Sequence, residues 1–209
     1  MKISIHDIYR PFLRFFRAKR MQIFQEKFDI TPESRILDVG GTPFNWSLLP
    51  NQPNLYIINL SLPEQIKTRI SWIIADGKHL PFKDKAFDIA YSNSVIEHLG
   101  TIEEQSLFAN EIQRISGRYF VQTPNKWFPI EPHYIALFIH WLPKSMQKKL
   151  MRNYTIRGLI TRPTHEECEK FVHEIRLLEK KELQKMFADA EIWHERFFGW
   201  TKSFIIAKR

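Results

Sequence analysis

Two carboxylate–histidine pairs in the sequence have the residue types that proton transfer requires. Glu97 precedes His98 in NSVIEHLG, and Glu131 lies two residues before His133 in FPIEPHY. A free imidazole titrates near neutral pH, so it can accept a proton from a nucleophile under the usual working conditions of an enzyme. The same residues can instead cap a helix or orient a neighbouring side chain. His98 and His133 are therefore candidate general bases, and the structural interpretation stays open for both.

A glycine-containing loop, ILDVGGTPFNW at residues 36–46, follows an apolar run and has the composition of a ligand-binding turn. Gly40 and Gly41 carry no Cβ, so a ligand can approach the backbone closely there. Pro43 and Phe44 occupy positions that the dinucleotide-binding pattern G-x-G-x-x-G needs, and no Gly-Lys-Ser/Thr sequence follows to form a P-loop. A ligand without a pyrophosphate group therefore suits this loop better.

Both sets of residues lie near the ends of short apolar segments. Continuous rather than alternating hydrophobicity is typical of strands that are covered on both faces. In an open parallel sheet, ligands bind beyond the carboxyl ends of the strands, so polar residues at successive strand ends are expected to share one site. The segments are RILDVG at 35–40, NLYIINL at 54–60, SWIIAD at 71–76, AFDIAYSNS at 86–94 and RYFVQTP at 118–124.

Further segments complete an α/β fold. Residues 102–116 predict a crossover helix with acidic residues in its first turn, which favour the positive end of the helix dipole. Residues 180–190 predict another helix. Residues 192–198 and 203–208 predict an antiparallel hairpin, because only a short link separates them. We expect a Rossmann-like sheet of seven mostly parallel strands, with an antiparallel last strand and helices on both faces.

The chain has the length for one sizeable core, so a single domain over residues 1–209 is expected. Within residues 1–30, apolar residues at helical spacing over 7–28 predict an amphipathic helix. We expect this helix to pack on the domain, and binding to a membrane surface is the alternative. Residues 125–175, rich in Trp, Phe, Pro and His, are expected to form a helical lid inserted after the fifth strand.

The charge balance is basic, with 31 Lys and Arg against 23 Asp and Glu and a formal net charge of +8. Such an excess attracts phosphates and anionic lipids as well as nucleic acid, so it identifies no partner. Basic residues cluster within residues 10–20 and 144–157. Cys168 is the only cysteine and is expected to be an exposed thiol in a reducing compartment. The expected location is the cytoplasm, with peripheral contact at the inner face of the membrane as an option.

Four segments taken together resemble a class I S-adenosylmethionine-dependent methyltransferase of the broad group that acts on small molecules, lipids and sugars. The resemblance runs from about Pro32 to the C-terminus. Its most specific element has an acid after the third strand, a Leu-Pro-Phe turn, and Phe-Asp at the start of the fourth strand. The segments are RILDVGGTPFNW, INLSLP, ADGKHLPFKDKAFDIAYSNSVIEHLG and RLLEKKELQKMFADAEIWHERFFGWTKSFIIAKR.

The resemblance implies that S-adenosyl-L-methionine is the cofactor and that the first strand end holds its amino acid portion. Asp38 would accept a hydrogen bond from the α-amino group of the donor. The backbone of Gly40, Gly41 and Thr42 would lie against the methionine chain.

The resemblance also places the ribose and the adenine at the next two strand ends. The second strand of the family normally ends with an acid that holds both ribose hydroxyls, but here that position is Asn59, followed by Leu60. An amide can still form two hydrogen bonds but lacks the charge that strengthens those of a carboxylate, so the donor is expected to bind less tightly. Asp76 with Gly77 would receive the adenine amino group.

At the fourth strand end, Ser92 and Asn93 would line the methionine and sulfonium end of the donor, with Asn93 facing the acceptor. For all these polar residues, a turn or a helix cap is the alternative role. Residues 123–126 resemble the polar-Pro-Pro-aromatic motif of enzymes that methylate exocyclic amines of bases, but they follow the fifth strand instead of the fourth. The sequence therefore favours transfer to an oxygen or carbon of a small-molecule, sugar or lipid-linked acceptor.

Aromatic residues of the insertion are expected near the acceptor. They can stack on a sugar or contact a lipid, or they can form the core of the lid. The basic run beside them suits a phosphorylated or lipid-linked acceptor at an anionic membrane surface. These residues are Trp127, Phe128, Tyr134, Phe138 and Trp141.

Three other functions compete with this one. An RNA methyltransferase would use the basic clusters to bind RNA, but no appended RNA-binding module is visible, so nucleic acid ranks lower as a partner. A non-catalytic protein that kept the fold and binds S-adenosylmethionine is consistent with Asn59 and the missing third glycine. A Rossmann oxidoreductase ranks last. The sequence alone assigns no metal ligand and no oligomeric state.

Overall fold

The computed structural model of the protein describes residues 5–50, 52–63 and 70–209, with the side chains of the first helix described from residue 14 onward. The helices are α1 Ile5–Phe28, α2 Pro43–Trp46, α3 Ile102–Ile115, α4 Lys144–Tyr154, α5 Ile156–Thr161, α6 His165–Glu174 and α7 Lys180–Met186. The strands are β1 Arg35–Val39, β2 Asn54–Asn59, β3 Ile70–Ile74, β4 Ile89–Asn93, β5 Tyr119–Pro124, β6 Ile130–Glu131, β7 Ala136–Leu137, β8 Glu191–Phe197 and β9 Trp200–Lys208. Single 3-10 turns occupy Ile96–His98 and Ile139–Trp141.

A seven-stranded sheet forms the centre of the molecule, in the order β3-β2-β1-β4-β5-β9-β8. The first five strands of that order are mutually parallel, and β9 runs antiparallel to both β5 and β8. The predicted Rossmann-like fold is therefore confirmed. Strand order reverses between β1 and β4, so the carboxyl ends of these two strands flank the crevice where ligands of such sheets bind.

Both faces of the sheet are covered, as the continuous apolar strands require. On one face, α3 and α7 pack through Phe108, Ile112 and Leu183 against strand residues such as Leu37. On the other face, Phe24 of α1 lies in the second core together with residues of β1, β2, β4 and β5. Side chains of successive strand residues point to opposite faces, so each strand supplies both cores.

The first helix packs on the domain over its described side chains. Met21, Phe24 and Phe28 are buried within the second core. This favours the packing interpretation of the amphipathic pattern for the second half of α1. The side chains of the apolar residues at positions 8 and 12 lie outside the described residues.

The insertion after β5 is mostly helical and has a small core of its own. A two-residue antiparallel ladder between β6 and β7 precedes α4, α5 and α6. Tyr134, Met151, Cys168 and Val172 are buried together in this part of the molecule. The expectation of an exposed thiol was wrong, because the apolar interior of the insertion takes up the Cys168 side chain. Within the described ranges, no helix combines the length and the apolar character that crossing a membrane requires.

Near the C-terminal end, two boundaries differ from the prediction by three or four residues. The last strand begins at Trp200 instead of residue 203, because Phe197 pairs directly with Trp200 across a tight turn. Phe198 and Gly199, both with positive φ, form that turn. The last helix ends at Met186, four residues before the predicted end. Both differences arise from local backbone geometry that the hydrophobic pattern does not encode.

Candidate active site

The loop after β1 contains two glycines that are required for different close contacts. Gly40 has a φ of +76°, and a Cβ built there would lie 2.6 Å from a methyl group of Val95. A Cβ on Gly41 would lie 1.8 Å from a carboxylate oxygen of Asp38. The Gly40 amide donates to the carbonyl of Ile58, 2.8 Å away, and so ties the loop to β2. The loop can therefore lie against both Asp38 and Val95 only because it lacks side chains.

Asp38 lies beneath this loop instead of lining a cavity. Its side chain is completely buried, and its Oδ2 accepts a hydrogen bond of 2.7 Å from the indole Nε1 of Trp46. Its Oδ1 has no hydrogen-bond partner among the described residues. Burial raises the pKa of the Asp38 carboxyl to about 7, against the opposing effects of the Trp46 hydrogen bond and the positive charge of Arg17. The Asp38 carboxylate, with one oxygen lacking a hydrogen-bond donor among the described residues, therefore lies directly under the glycine loop.

A cavity of about 250 Å³ opens at the carboxyl ends of β1, β2, β3 and β4; we call it the strand-end cavity. Its position matches the crevice predicted from the strand order. Residues that the sequence placed in the site make up a large part of its wall. These are Gly40, Asn59, Leu60, Asp76, Gly77 and His98.

Polar side chains in this wall are held by local bonds. The Asn59 Nδ2 donates to the Gly41 carbonyl at 3.4 Å, while its Oδ1 accepts from the Leu60 amide at 2.9 Å. Asp76 Oδ1 accepts from the amide of Lys78, and the Asp76 side chain is 42% exposed. Asp76 is thus accessible to a ligand, whereas Asn59 connects β2 to the glycine loop.

Gly77 is needed for close packing. A Cβ there would lie 2.9 Å from both Val39 and Phe108. Because β1 and α3 leave no space for a side chain, glycine keeps this corner of the strand-end cavity open.

Several predicted residues are not brought to the cavity wall. Thr42 is exposed at the start of α2, and Gly41 is buried beside Asp38. The Ser92 hydroxyl is buried and donates to the Val39 carbonyl at 3.0 Å, which links β4 to β1. Asn93 Oδ1 accepts a hydrogen bond from Arg20. The side chains of Ser92 and Asn93 are therefore occupied by contacts within the protein.

Ser94, which sequence reasoning did not assign, does reach the site. It has a φ of +56°, and its amide and its hydroxyl both donate to Gln122, each at 3.0 Å. The turn out of β4 brings Ser94 into the strand-end cavity and also into a second cavity on the other side. The serine-rich end of the fourth apolar run was the available signal, but its register could not be fixed from the sequence.

The second cavity, of about 240 Å³, is bounded by α1, the insertion and the β8–β9 hairpin; we call it the aromatic cavity. Phe16, Phe128 and Phe197 supply aromatic walls, and Arg20 and Lys202 supply positive charge. The walls thus combine a large apolar surface with a basic portion. The sequence predicted a role here for Phe128 but not for the residues contributed by α1 and β9.

A buried ion-pair network supports this cavity. The Arg20 guanidinium contacts the Glu195 carboxylate at 2.9 Å, and the Lys202 ammonium contacts the same carboxylate at 2.9 Å. Burial opposes ionisation of Glu195, but the two cations outweigh it and lower the pKa of this carboxyl to about 2. Arg20 also donates to Gln122, so α1 is bonded to both β5 and β8.

The two candidate bases, 35 residues apart in sequence, are in direct contact. Their Nε2 atoms lie 3.1 Å apart. The Nδ1 of His133 lies 2.6 Å from a carboxylate oxygen of Glu131, whose other oxygen accepts from the amide of Tyr134. His98 belongs to the 3-10 turn after β4, and His133 belongs to the insertion. The inserted segment therefore completes a cluster that the central sheet begins.

The electrostatic surroundings of the two imidazoles differ. Desolvation by the surrounding protein, together with the positive charge of His133, lowers the pKa of His98 to about 4. For His133, burial favours the neutral form, but the Glu131 and Glu97 carboxylates outweigh it and raise the pKa. Glu97 itself is fully buried, and burial raises the pKa of its carboxyl. Thr123 donates to Glu97 Oε2 at 3.0 Å, and Glu97 Oε1 has no partner among the described residues.

Comparison with known proteins gives a partial domain match and a shared fold. Residues 50–118 match the model of a methyltransferase domain. The magnesium protoporphyrin IX methyltransferase of Synechocystis PCC 6803, solved with bound S-adenosylhomocysteine, has a TM-score of 0.59 at 13% identity over 99% of this chain and 88% of that one. Residues 50–118 therefore carry the signature of a methyltransferase domain, and the chain as a whole shares the fold of S-adenosylmethionine-dependent methyltransferases. The part that matches the model runs from just before β2 to just before β5 and includes the wall of the strand-end cavity from Asn59 to Phe108.

Other similar proteins extend the comparison. A 1,6-didemethyltoxoflavin-N1-methyltransferase of Burkholderia thailandensis has a TM-score of 0.57 at 11% identity over 99% of this chain and 91% of that one. An uncharacterized protein of Methanocaldococcus jannaschii is 30% identical over 113 residues, which are 52% of this chain. That match spans about half of the length of the relative, 48%.

A structure with a similar fold has been described as a different kind of enzyme. A Rhodobacter sphaeroides structure described as a zinc-dependent alcohol dehydrogenase has a TM-score of 0.59 at 14% identity over 90% of this chain and 88% of that one. At such identities the likeness concerns the fold, and the chemistry has to be argued from the site.

Proposed function

We propose that the protein transfers the methyl group of S-adenosylmethionine to an oxygen or carbon of an acceptor that binds in the aromatic cavity. The observation that carries the proposal is the junction at Ser94. This residue lines both the strand-end cavity, which holds the residues suited to the donor, and the aromatic cavity. A donor in the first and an acceptor in the second would meet at this residue.

The residues of the strand-end cavity fit the proposed donor. Asp76 is an exposed acceptor for an adenine amino group, and Asn59 lies where the ribose hydroxyls would bind. Asp38 lies beneath the glycine loop with one oxygen unpartnered among the described residues, and an ammonium group bound above the loop would favour the ionised form of its carboxyl. The donor supplies an electrophilic methyl group when bound, and these residues hold it in one orientation.

Alignment is the main catalytic effect that this arrangement offers. In methyl transfer the positive charge of the sulfonium disappears, so the protein gains most by holding the nucleophile and the methyl group in line. Fixing reactants about 3 Å apart can supply roughly 7–11 kcal/mol. Ser94 is held to Gln122 by two hydrogen bonds, one from its amide and one from its hydroxyl. A residue fixed in this way is suited to keeping the donor and the acceptor at a constant distance from each other.

The walls of the aromatic cavity favour a particular kind of acceptor. Phe16, Phe128 and Phe197 would contact an apolar or planar body, while Arg20 and Lys202 favour a polar or anionic group at its end. The acceptor class that fits these walls best is an amphiphilic small molecule or lipid-linked compound, with its apolar part against the phenyl rings and its polar end near Arg20 and Lys202. A general base role for His98 or His133 stays a prediction from the sequence.

Calorimetry with S-adenosylmethionine and with its demethylated product tests the donor part of the proposal. We expect saturable binding of both, weakened by Asp76→Ala and unaffected by Asp84→Ala, whose carboxylate is 77% exposed and remote from the cavity. If neither compound gives saturable heat, the proposal that the protein is an enzyme fails.

Transfer is tested by incubating the full chain with methyl-labelled donor and small-molecule extracts. Label should appear in an organic-soluble, acidic fraction, and Phe128→Ala should reduce it without changing donor affinity. Donor binding without any labelled product would instead support a non-catalytic binding protein. Label recovered in RNA would support the nucleic acid alternative.

We also propose that the protein contacts an anionic membrane surface near the aromatic cavity. The ring centroid of Trp141 lies 6.1 Å from that of Trp127 and 4.9 Å from that of Phe138. The three side chains, Trp127, Phe138 and Trp141, are 53%, 47% and 42% exposed. They belong to the same segment as Phe128, which lines the cavity. Indole and phenyl rings of this kind suit a membrane interface, and the net charge of +8 complements anionic lipids.

Vesicle co-sedimentation tests this contact. Vesicles containing phosphatidylserine should sediment the protein, and Trp127→Ala combined with Trp141→Ala should reduce binding at least tenfold. Substitution of Leu107, an exposed apolar residue of α3, by Ala is the matched control and should not change binding. Absence of binding to anionic vesicles would contradict the proposal.

A further inference from the structure

We infer that Glu97, His98 and His133 form a binding site for a divalent transition-metal ion. Each residue offers one ligand atom, and the three atoms all lie within 4.8 Å of one another. Glu97 and His98 come from the turn after β4, whereas His133 comes from the insertion. The cluster therefore exists only when the two parts of the chain are assembled.

The separation of the two imidazoles agrees with a shared ion. Two nitrogens each about 2.1 Å from one metal lie roughly 3.0–3.4 Å apart at coordination angles between octahedral and tetrahedral. The observed distance between the Nε2 atoms of His98 and His133 is 3.1 Å. Both rings thus present the same nitrogen towards one point.

Glu131 orients one of these rings. Its completely buried carboxylate lies 2.6 Å from Nδ1 of His133 and is fixed from the other side by the Tyr134 amide. A carboxylate only accepts, so the proton of a neutral His133 resides on Nδ1 and the Nε2 lone pair faces His98. Metal-binding histidines are typically held by a carboxylate in this way.

The Glu97 side chain is a second, independent indication of a metal site. Its carboxylate is completely buried, accepts from Thr123 through Oε2, and has no partner for Oε1 among the described residues. Burying a carboxylate without compensation is costly, and a cation within reach of its oxygens offsets that cost. The structure thus combines an incompletely satisfied acid with two nitrogen ligands.

The ligand set indicates which ions fit. Two imidazoles and one carboxylate suit Zn²⁺, Mn²⁺, Fe²⁺ or Co²⁺, whereas Mg²⁺ and Ca²⁺ prefer oxygen ligands throughout. His98 also lines the strand-end cavity, so coordination positions left open by the protein would face it. The chemistry of three ligands with open positions is that of a catalytic rather than a structural site.

The role of the ion rests on the proposed methyl transfer, although its binding does not. The open positions of the ion would face the strand-end cavity, which Ser94 also lines, so an acceptor oxygen that reaches past Ser94 from the aromatic cavity would be bound there and its pKa lowered. His98 and His133 would then act as ligands, and this assignment would replace the general base role that the sequence suggested for them.

The test uses the full chain after treatment with a chelator. Titration with Co²⁺, followed by visible absorption, and with Zn²⁺, followed by calorimetry, should show one ion per chain. His98→Ala and His133→Ala should each weaken binding at least 100-fold, while His165→Ala, an exposed histidine at the start of α6, should leave it unchanged. Circular dichroism checks that each variant is folded.

A positioning variant tests the role of Glu131 separately. Glu131→Gln should keep one ion per chain but weaken its binding by about 10–100-fold. Wild-type protein that takes up no ion, or uptake that survives both His98→Ala and His133→Ala, would overturn the inference. Binding of S-adenosylhomocysteine to the metal-free protein is measured in parallel, so that failure of the metal site and failure of the proposed function are distinguished.

Discussion

Asn59 lines the strand-end cavity and also forms a hydrogen bond to the glycine loop. The second contact explains why an amide can occupy a position where a carboxylate is expected. Its Nδ2 donates to Gly41, a bond that an acid could not form. The bond is long, so its loss should cost little. A carboxylate at the same position would instead offer two charged acceptors to the ribose.

Asn59→Asp should therefore tighten the binding of S-adenosylhomocysteine. Charged acceptors form stronger hydrogen bonds, and we expect a gain of about 1 kcal/mol, roughly fivefold in affinity. Calorimetry measures the change, with Asn59→Ala as the control that removes both bonds and should weaken binding. Unchanged or weaker binding of the Asp variant would show that the contact with Gly41 matters more than the charge.

The close contact between Gly41 and Asp38 leads to a prediction about packing. Gly41→Ala should lower the free energy of unfolding by roughly 1–3 kcal/mol and abolish donor binding, because its Cβ would collide with the Asp38 carboxylate. Gly117→Ala is the matched control, since nothing lies within 4 Å of a Cβ there. Urea denaturation and donor titration of both variants provide the measurement. Equal effects of the two substitutions would contradict the packing argument.

Asp38 gives a prediction about pH. Its folded-state pKa of about 7 lies above the value of 3.8 for an unperturbed carboxyl, so the folded protein binds this proton more tightly than the unfolded chain. The resulting stabilisation is complete below about pH 4 and is lost as the pH rises through 7. Asp38→Asn removes this dependence.

Urea denaturation between pH 4 and 8 tests the sign. The free energy of unfolding of the wild type, relative to Asp38→Asn, should fall by a few kcal/mol as the pH rises. Glu97 also has a raised pKa, but it is present in both proteins and cancels in the difference. Parallel curves would show that Asp38 keeps an ordinary pKa.

At the scale of elements, α1 is anchored to the sheet by charge as well as by apolar packing. Arg20 contacts Glu195 of β8 and Gln122 of β5 from a completely different part of the chain. Removing Arg20 would leave the buried Glu195 carboxylate with only part of its positive surroundings, the Lys202 ammonium, and such a loss of charge compensation in the interior is destabilising. The helix and the far edge of the sheet should therefore be energetically coupled.

Arg20→Met should lower the free energy of unfolding by about 3–5 kcal/mol. Arg20→Met with Glu195→Gln should cost less than the sum of the two single substitutions, because both remove the same ion pair; Lys202 loses the Glu195 carboxylate in Glu195→Gln and in the double variant alike. Arg14→Ala, on the exposed side of α1, is the control and should change stability by less than about 0.5 kcal/mol. A double-mutant cycle from denaturation data measures the coupling, and additive effects would contradict it.

The elements also show what the sequence can predict. Strands β1 to β5 and helix α3 were predictable because buried parallel strands form continuous apolar runs and α3 has a clear start. The strand-end residues Gly40, Asn59, Asp76 and Gly77 followed from that pattern. The side-chain directions at the end of β4 did not, because a single positive φ at Ser94 decides which residue reaches the cavities.

The aromatic cavity and the Glu97–His98–His133 cluster were harder to predict for a different reason. Arg20 and Glu195 are 175 residues apart, and His98 and His133 are brought together only by the fold of the insertion. Local patterns carry no information about such pairs. Both histidines were singled out by residue type, but their contact depends on tertiary structure.

At the scale of the whole molecule, the two cavities are built by different parts of the chain. The strand-end cavity belongs to the central strands and to α3. The aromatic cavity is assembled by α1, the end of β5, the insertion and the β8–β9 hairpin. Asn125 joins two of these parts through hydrogen bonds to Thr201 and Lys202.

This division has an evolutionary consequence. Among the described residues that line the aromatic cavity, Ser94 alone falls within residues 50–118, the stretch that matches the methyltransferase domain model. Mutations that reshape the aromatic cavity can therefore accumulate in the flanking segments while the central stretch is inherited unchanged. If the aromatic cavity holds the acceptor as proposed, related chains of this architecture could change their acceptor while they keep the same methyl donor.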